Sequence, residues 1–392
     1  MYFKIDLTKI IIILYLLILM SVFTVILDNK ILLSINSILY LSFFLYLLVT
    51  KKTDLILKLF IITLLLINLG TLITSWDARS IWIFKTKIFF YEENYFNLHY
   101  HPQFSHPTYP FLGPIFSSLF VKTFGFWNEI YPKIGLYFLF IPPIIYISTK
   151  FKENYLYVFL SLLLLVIGKY FFNGEMDGLI SIYFLCSLIL IYEIIFSNKQ
   201  NNNFILLYIL FFNNLVLSLL KFEGTVLVVI ISTISFLYFL VSKKINIKTL
   251  IIIILSSIPS IIWLIYSNYL NSIYNLENSN FTYSNFINRI NDFDNLFLIL
   301  KFFLSDEKFL LSVSIFLYIY FKNKKKNNLL HITLLTNSIY IFALIMIYLA
   351  TNFDLEWHLS SSANRVIKPI TLSLIIISLY HINFKKKKFF NI

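Results

Sequence analysis

Long apolar stretches, separated by short polar breaks, follow one another along the whole chain. Most of these stretches are 17 to 22 residues long, enough for a helix to cross a hydrocarbon layer of roughly 30 Å, and the tenth is shorter. The pattern predicts about twelve transmembrane helices, near residues 10–27, 31–49, 55–74, 133–149, 154–168, 178–196, 204–220, 224–241, 248–266, 309–321, 329–350 and 366–383. The predicted fold class is therefore an all-α integral membrane protein.

Composition agrees with this class. Of the 392 residues, 59% are hydrophobic and 13% are charged, more apolar surface than a soluble domain could keep from water. The stretch 10–27 follows a basic start, as a signal peptide would, but Asp28 leads at once into another apolar stretch and no cleavage site intervenes. We interpret it as a retained helix. Cys186 is the only cysteine, which excludes disulfides within the chain and thiolate metal sites.

Basic residues are distributed unevenly between the two sets of connections. One set, counted with the N-terminus and the helix ends, has 19 basic and 4 acidic residues, and the other has 13 and 15. By the positive-inside rule, the lysine-rich set is cytoplasmic and both termini lie on that side. The protein would then be a multi-pass protein of the plasma (inner) membrane, with its acidic connections outside.

Two long segments, 75–132 and 267–308, lie on the predicted outer side. A helix needs only a few residues to reverse direction, so segments of this length point to function. Within the first, the apolar stretch 111–124 is predicted to form a helix in the membrane interface. We expect one polytopic domain, with an N-terminal helix pair (1–54) before a core (55–392).

The start of the first outer segment, Ser75-Trp76-Asp77-Ala78-Arg79, has two interpretations. Ser75 or Asp77 could cap a short surface helix while the following lysines meet lipid phosphates. Alternatively, the Asp77 carboxylate removes a proton from an acceptor hydroxyl, and Arg79, Lys85 or Lys87 neutralises a phosphate.

Three histidines lie within the eight residues from His99 to His106. Their spacing matches neither a helical pair nor a zinc finger, and nearby prolines favour extended backbone, so we expect no metal here. An aromatic loop is the preferred interpretation, with His106 and Tyr109 facing sugar or phosphate hydroxyls.

The three short outer connections are polar. Glu175 and Asp177 either belong to a solvated, capped turn or enter a site, and Lys221 with Glu223 forms either a mutual ion pair or ligand contacts. Arg365 is either a snorkelling anchor or a phosphate ligand, and the nearby cluster favours a site. The candidate binding residues are Arg79, Lys85, His106, Tyr109, Glu175, Asp177, Lys221, Glu223, Glu356, His358 and Arg365.

These motifs resemble the C-type glycosyltransferase superfamily, which includes protein O-mannosyltransferases, aminoarabinose transferases and oligosaccharyltransferases. The likeness runs from about residue 55 to the end and is carried by Trp76-Asp77-Ala78-Arg79-Ser80 with Lys85, Asp177-Gly178, Lys221-Phe222-Glu223-Gly224, and Glu356-Trp357-His358-Leu359 with Arg365. An Asp soon after an early helix, in the first long outer loop, is the hallmark of that superfamily.

The resemblance implies an inverting transfer of a sugar from a polyprenyl-phosphate carrier to a glycan, lipid or protein acceptor on the outer face. Asp77 would be the general base, and Arg365 with Lys85 or Lys221 would hold the donor phosphate. Asp177 and Glu223 would orient the sugar or the acceptor, and His358 would assist at the phosphate. The motif Asp-Ala-Arg lacks a second carboxylate two residues on, which favours a reaction without a metal or other cofactor.

Two other classes remain alternatives. A polysaccharide polymerase or ligase would use the same lipid-linked donor, but its arginine-rich outer loop is not matched by 267–308, where Arg289 is the only arginine. A lipid or solute transporter would place polar groups near the bilayer midplane, whereas here they gather at one face. We expect the bilayer as a partner and no nucleic acid.

Overall fold

A computed structural model describes residues 6–91, 109–196, 200–242, 251–252, 254–274, 282–323 and 328–389. The regular elements within these ranges are helices. They are α1 (Leu7–Ile26), α2 (Lys30–Val49), α3 (Leu55–Gly70), α4 (Ile83–Tyr91), α5 (Leu112–Phe124), α6 (Ile130–Leu139), α7 (Ile141–Ser148), α8 (Glu153–Ile167), α9 (Asp177–Phe196), α10 (Gln200–Leu220), α11 (Phe222–Ser242), α12 (Ile258–Tyr274), α13 (Tyr283–Ile290), α14 (Phe293–Leu304), α15 (Glu307–Asn323), α16 (Asn328–Ala350), α17 (Leu355–Val366) and α18 (Lys368–Phe389). A π-helical turn, Ala78–Trp82, precedes α4, and a 3₁₀ turn, Gly168–Phe171, follows α8.

Seven helical stretches within the described residues are long and apolar enough to cross a membrane. They are Leu7–Ile26, Lys30–Val49, Ile130–Ser148, Glu153–Phe171, Asp177–Ile194, Asn328–Ala350 and Leu355–Asn383. Shorter apolar helices lie at Leu55–Gly70, Leu112–Phe124, Phe204–Leu220 and Phe222–Tyr238. The chain is thus an α-helical, multi-pass membrane protein, as its apolar pattern predicts.

Several helix bounds differ from those predicted from the pattern. The stretch expected as a single helix over 133–149 forms two consecutive helices, α6 and α7. Pro142 and Pro143 explain the break, because proline lacks the N–H that continues a helix and clashes with the preceding turn. The predicted ninth helix, 248–266, lies partly outside the described residues, and α12 extends beyond it to Tyr274.

The two long segments predicted to lie on the outer side, 75–132 and 267–308, contain helices of their own. The first holds α4 and α5, and the second holds α13 and α14. Helix α5 was expected to lie in the membrane interface, but its residues from Leu112 to Val121 are buried, and it packs against α1, α2, α4 and α6. Pro114 lies in the first turn of α5, where a missing N–H does no harm.

Helices α9 and α18 form the centre of the bundle. They pack against each other, α9 also packs against α10, and residues 177–194 of α9 and 368–383 of α18 are mostly buried. Asp177 begins α9, and Arg365 lies just before α18. The N-terminal ends of the two central helices therefore meet on the side where the polar connections gather.

Buried polar side chains attach the N-terminal helix pair to the core. The Tyr15 hydroxyl donates to Asn213 Oδ1 at 2.7 Å, and Asn213 Nδ2 donates to Ser187 Oγ at 2.8 Å, which joins α1, α10 and α9. Tyr40 on α2 donates to the Phe138 carbonyl at 2.7 Å. In apolar surroundings, hydrogen bonds of this kind fix how far the helices are shifted along one another.

Candidate functional site

The first part of the site follows α3, whose C-terminal end at Gly70 leads into an irregular segment up to Ser75. A helical turn then begins at Trp76 and passes into the π-helical turn Ala78–Trp82. Buried Ile81 and Trp82 hold this turn against the core. Single π-helical turns occur frequently at functional sites.

Asp77 does not cap this turn, because its side chain makes no capping hydrogen bond. Its Oδ2 instead accepts a hydrogen bond from Arg365 Nη1, a residue 288 positions away in the chain. The Asp77 side chain is 20% exposed and that of Arg365 is 22% exposed. The pair joins the segment after α3 to the end of α17, and the interpretation of Asp77 as a helix cap is wrong.

The connection from α8 to α9 adds two carboxylates. Gly174 adopts φ of +78°, a conformation that side-chain-bearing residues avoid, and turns the chain so that Glu175 and Asp177 face inward. They are only 8% and 4% exposed, so the interpretation as a solvated turn is wrong. Ser75 Oγ donates a hydrogen bond to Glu175 Oε1, which places this carboxylate beside the segment that carries Asp77.

Lys221 lies between α10 and α11 and pairs with two carboxylates. Its Nζ is 3.1 Å from Asp177 Oδ1 and 2.8 Å from Glu223 Oε1. A Cβ on Gly224 would lie 2.0 Å from the Leu217 carbonyl oxygen, so only glycine allows this tight turn. Burial acts to lower the pKa of the Lys221 ammonium, but the two carboxylates outweigh it and hold that pKa well above its ordinary value.

These residues form one group, which we term the ion cluster. Its members are Asp77, Glu175, Asp177, Lys221, Glu223 and Arg365. Arg365 interacts electrostatically with Asp177 and Glu175 as well as with Asp77, so the cationic and anionic groups are interleaved. Asp177 and Glu223 lie in the first turns of α9 and α11, where the helix dipole favours negative charge.

A narrow cavity lies beside the ion cluster. Its lining residues are Asp177, Ile180, Glu223, Tyr340, Arg365, Val366 and Pro369. Three buried polar atoms of this lining have no hydrogen-bond partner among the described residues, namely Glu223 Oε2, Arg365 Nε and the Tyr340 hydroxyl. Buried polar groups are nearly always bonded, so these atoms make the cavity a candidate ligand site.

A second, larger cavity reaches the ion cluster at Glu175. It is lined by Glu175, Tyr170, Asn68 and Lys133 together with apolar residues. The Lys133 ammonium donates to the Asn68 carbonyl at 2.6 Å and also to the Thr71 carbonyl. Lys133 therefore satisfies the C-terminal end of α3 and has a structural role.

Aromatic rings border the site around Lys85. This lysine is fully buried, and its ammonium lies 4.8 Å from the ring centroid of Phe111 and 5.6 Å from that of Tyr109. Tyr109 stacks on Trp82 at 5.7 Å and meets the edge of Phe222 at 5.4 Å. Phe222 directly follows Lys221, so the contact between Tyr109 and Phe222 places the aromatic group next to the ion cluster.

The remaining predicted residues lie farther from the ion cluster. Arg79 is exposed, and its Nε donates to the Ile73 carbonyl at 2.6 Å. Glu356 is exposed at the start of α17, while His358 packs edge-on against Tyr348 at 5.0 Å and interacts electrostatically with Arg365. His106 lies outside the described residues.

The motifs do not include two further residues, Tyr340 and Lys368. Tyr340 lies inside an apolar stretch, and one tyrosine among 27 carries no signal by itself. Lys368 Nζ binds Asp306 Oδ2 at 2.5 Å, and this hydrogen bond, against the opposing effect of burial, lowers the pKa of the Asp306 carboxyl. Here a signal existed, since a lysine inside a predicted membrane helix is expected to have a partner.

Arg289, the single arginine of the segment 267–308, donates to the carbonyls of Thr351 at 2.8 Å and Phe353 at 2.9 Å. It thereby docks α13 onto the connection between α16 and α17, a structural role.

Within the described residues, no group of three or more His, Cys, Asp or Glu side chains is placed to hold a metal ion. Comparisons with protein-family models, with curated proteins and with solved structures found no match to this chain.

Proposed function

We propose that the protein is a membrane glycosyltransferase that moves a sugar from a polyprenyl-phosphate carrier to an acceptor on the outer face. The observation that carries the proposal is the ion cluster, in which four segments far apart in the sequence meet beside a cavity lined by unpaired polar atoms. Its groups suit the chemistry, with a carboxylate to take a proton and a guanidinium to hold a phosphate.

In the proposed reaction, Asp77 accepts the proton of an acceptor hydroxyl. The acceptor oxygen attacks the anomeric carbon and forms the new C–O bond as the bond from that carbon to the phosphate oxygen breaks. The carrier phosphate leaves with the electron pair and is stabilised by Arg365. Attack from the face opposite the phosphate inverts the anomeric centre.

The Asp77–Arg365 ion pair fits this sequence of events. Lys221 already contacts two carboxylates, whereas the Nε of Arg365 has no partner among the described residues. A donor phosphate would compete with Asp77 for the guanidinium and so release the carboxylate for its role as base. No metal is needed in this mechanism, because a phosphate bound to a lipid is already a competent leaving group.

The orientation of the protein is testable by chemical labelling. We propose about twelve crossings, with the lysine-rich connections and both termini in the cytoplasm. In a Cys186→Ser background, single cysteines at Tyr100, Asn285 and Ser361 are expected to react in intact cells with a thiol reagent that cannot cross the membrane. Labelling of these positions only after lysis would reverse the assignment.

Arg365 tests the proposed donor site. Arg365→Ala is expected to raise the apparent KM for a polyprenyl-phosphate sugar at least tenfold or to abolish transfer, because a charge-assisted hydrogen bond to phosphate is lost. Arg365→Lys should restore little of this, since an ammonium lacks the planar fork of a guanidinium. Transfer of radiolabelled sugar is measured in membranes with and without a chelator. Wild-type kinetics in Arg365→Ala would remove this residue from the site, and loss of activity on chelation would contradict the metal-free mechanism.

A further inference from the structure

The Tyr340 side chain projects from α16 into the cavity that Glu223 and Arg365 also line. It is only 1% exposed, and within the described part of the chain its hydroxyl has no hydrogen-bond partner. A phenylalanine would fill the same space without this unpaired group. A buried hydroxyl kept in this state points to a partner that enters the cavity from outside the chain.

The three unpaired atoms around the cavity differ in what they can bind. The Glu223 carboxylate only accepts hydrogen bonds, the Arg365 guanidinium only donates them, and the Tyr340 phenol does both. An ionised phosphate offers acceptors and negative charge, so it suits Arg365 and is repelled by Glu223. The partner of Glu223 must carry a hydrogen-bond donor.

We infer that Glu223 and Tyr340 together bind one hydroxyl group of the transferred sugar, while Arg365 binds the phosphate next to it. A sugar hydroxyl can donate to Glu223 Oε2 and at the same time accept from the Tyr340 hydroxyl. Ile180, Val366 and Pro369 supply the apolar part of the same wall, which suits the C–H face of a sugar ring. The inference rests on the proposed function and gives the cavity two ends, one for the sugar and one for the phosphate.

The test compares two probes on the purified full-length protein: undecaprenyl phosphate, and undecaprenyl phosphate that carries mannose as a neutral hexose. The wild type is expected to bind the sugar-bearing lipid more tightly. Tyr340→Phe should weaken binding of that lipid about tenfold, as expected for one lost hydrogen bond, and leave the bare lipid unchanged. Arg365→Ala should weaken both.

A matched variant separates recognition from folding. The Tyr137 hydroxyl is also buried but donates to the Ile61 carbonyl at 2.6 Å. Tyr137→Phe should therefore lower the thermal midpoint and keep the preference for the sugar-bearing lipid, whereas Tyr340→Phe should keep the midpoint and lose much of that preference. A lowered midpoint in Tyr340→Phe would mean that the hydroxyl holds the fold, which overturns the inference.

The binding results also distinguish this inference from the proposed function. If the wild type binds both lipids but Tyr340→Phe weakens them equally, or if the sugar adds no affinity, the sugar subsite is refuted and the lipid-phosphate site stands. If the wild type binds neither lipid, the proposed function fails and the inference fails with it.

Discussion

Asp77→Asn is expected to accumulate in the membrane at wild-type levels, to bind the lipid donor, and to transfer sugar at least a hundredfold more slowly. Asparagine has nearly the shape of aspartate and can still accept a hydrogen bond from Arg365, but it cannot take a proton from the acceptor. Loss of a general base typically reduces a rate by about 10²–10⁴-fold. Initial rates at saturating donor and acceptor, corrected for the amount of folded protein, measure the effect.

The rival explanation makes Asp77 a structural partner of Arg365. In that case Asp77→Asn would lower stability, because the ion pair would lose one charge, while the folded fraction would keep its turnover. Both side chains of the pair are about one-fifth exposed. Ion pairs that reach solvent contribute little to stability, so a large stability effect is not expected from this pair.

Asp306→Asn is the matched control for this experiment. Asp306 also pairs with a cation, Lys368, and lies outside the ion cluster. Its substitution is expected to lower the thermal midpoint without a change of two orders of magnitude in rate. A folded Asp77→Asn protein with near-normal transfer would refute the role of Asp77 as the base, whatever the control shows.

The apolar pattern predicted much of the fold, because a membrane helix is specified by composition over a window of about 20 residues. Helix α9, for example, was expected over 178–196 and begins at Asp177. The division of one expected helix into α6 and α7 was missed because Pro142 and Pro143 lie inside an otherwise uninterrupted apolar stretch. Burial of α5 was missed because composition does not distinguish a helix on the membrane surface from one inside a bundle.

For the site, the motifs identified the charged residues but not their pairing. Asp77 and Arg365 were both candidates, yet nothing in their local sequences shows that one binds the other, because they lie 288 positions apart in the chain. A pair between Lys221 and Glu223, its neighbour two residues on, is one of the two interpretations of the sequence, whereas the second bond of Lys221, to Asp177, depends on how α9 packs against α10 and α11. Tertiary contacts of this kind depend on helix packing, which hydropathy does not encode.

Lys221→Met should destabilise the protein more than any other single change in the ion cluster. The Lys221 and Asp177 side chains are 7% and 5% exposed, and methionine would leave the Asp177 and Glu223 carboxylates without their shared cation. Removing one partner of a buried ion pair typically costs about 3–5 kcal/mol, because the remaining charge is buried without compensation. We expect a lowered thermal midpoint in detergent micelles at neutral pH, together with reduced accumulation in the membrane.

The pH dependence of this effect has a definite sign. In the wild type the pKa of Lys221 is raised, so its contribution to stability is fully present below the ordinary lysine pKa and is lost only as the pH rises through the raised value. In Lys221→Met, proton uptake by one of the two stranded carboxylates relieves the buried charge. The folded variant then binds more protons than the unfolded chain, so its stability should increase as the pH falls from about 8 to about 5. The wild type should show no such increase from this group.

A compensating substitution separates charge from packing. In the double variant Lys221→Met with Asp177→Asn, one of the two stranded carboxylates becomes a neutral amide of similar size, so much of the lost stability should return at neutral pH and its increase toward acid should shrink. If packing of the lysine stem were the cause instead, the double variant would stay as unstable as Lys221→Met at every pH.

A Lys221→Met protein with the midpoint of the wild type would show that the cluster tolerates two buried carboxylates without their cation. That result would contradict the electrostatic account of the site, because Asp177 and Glu223 would then be held in place by something other than Lys221.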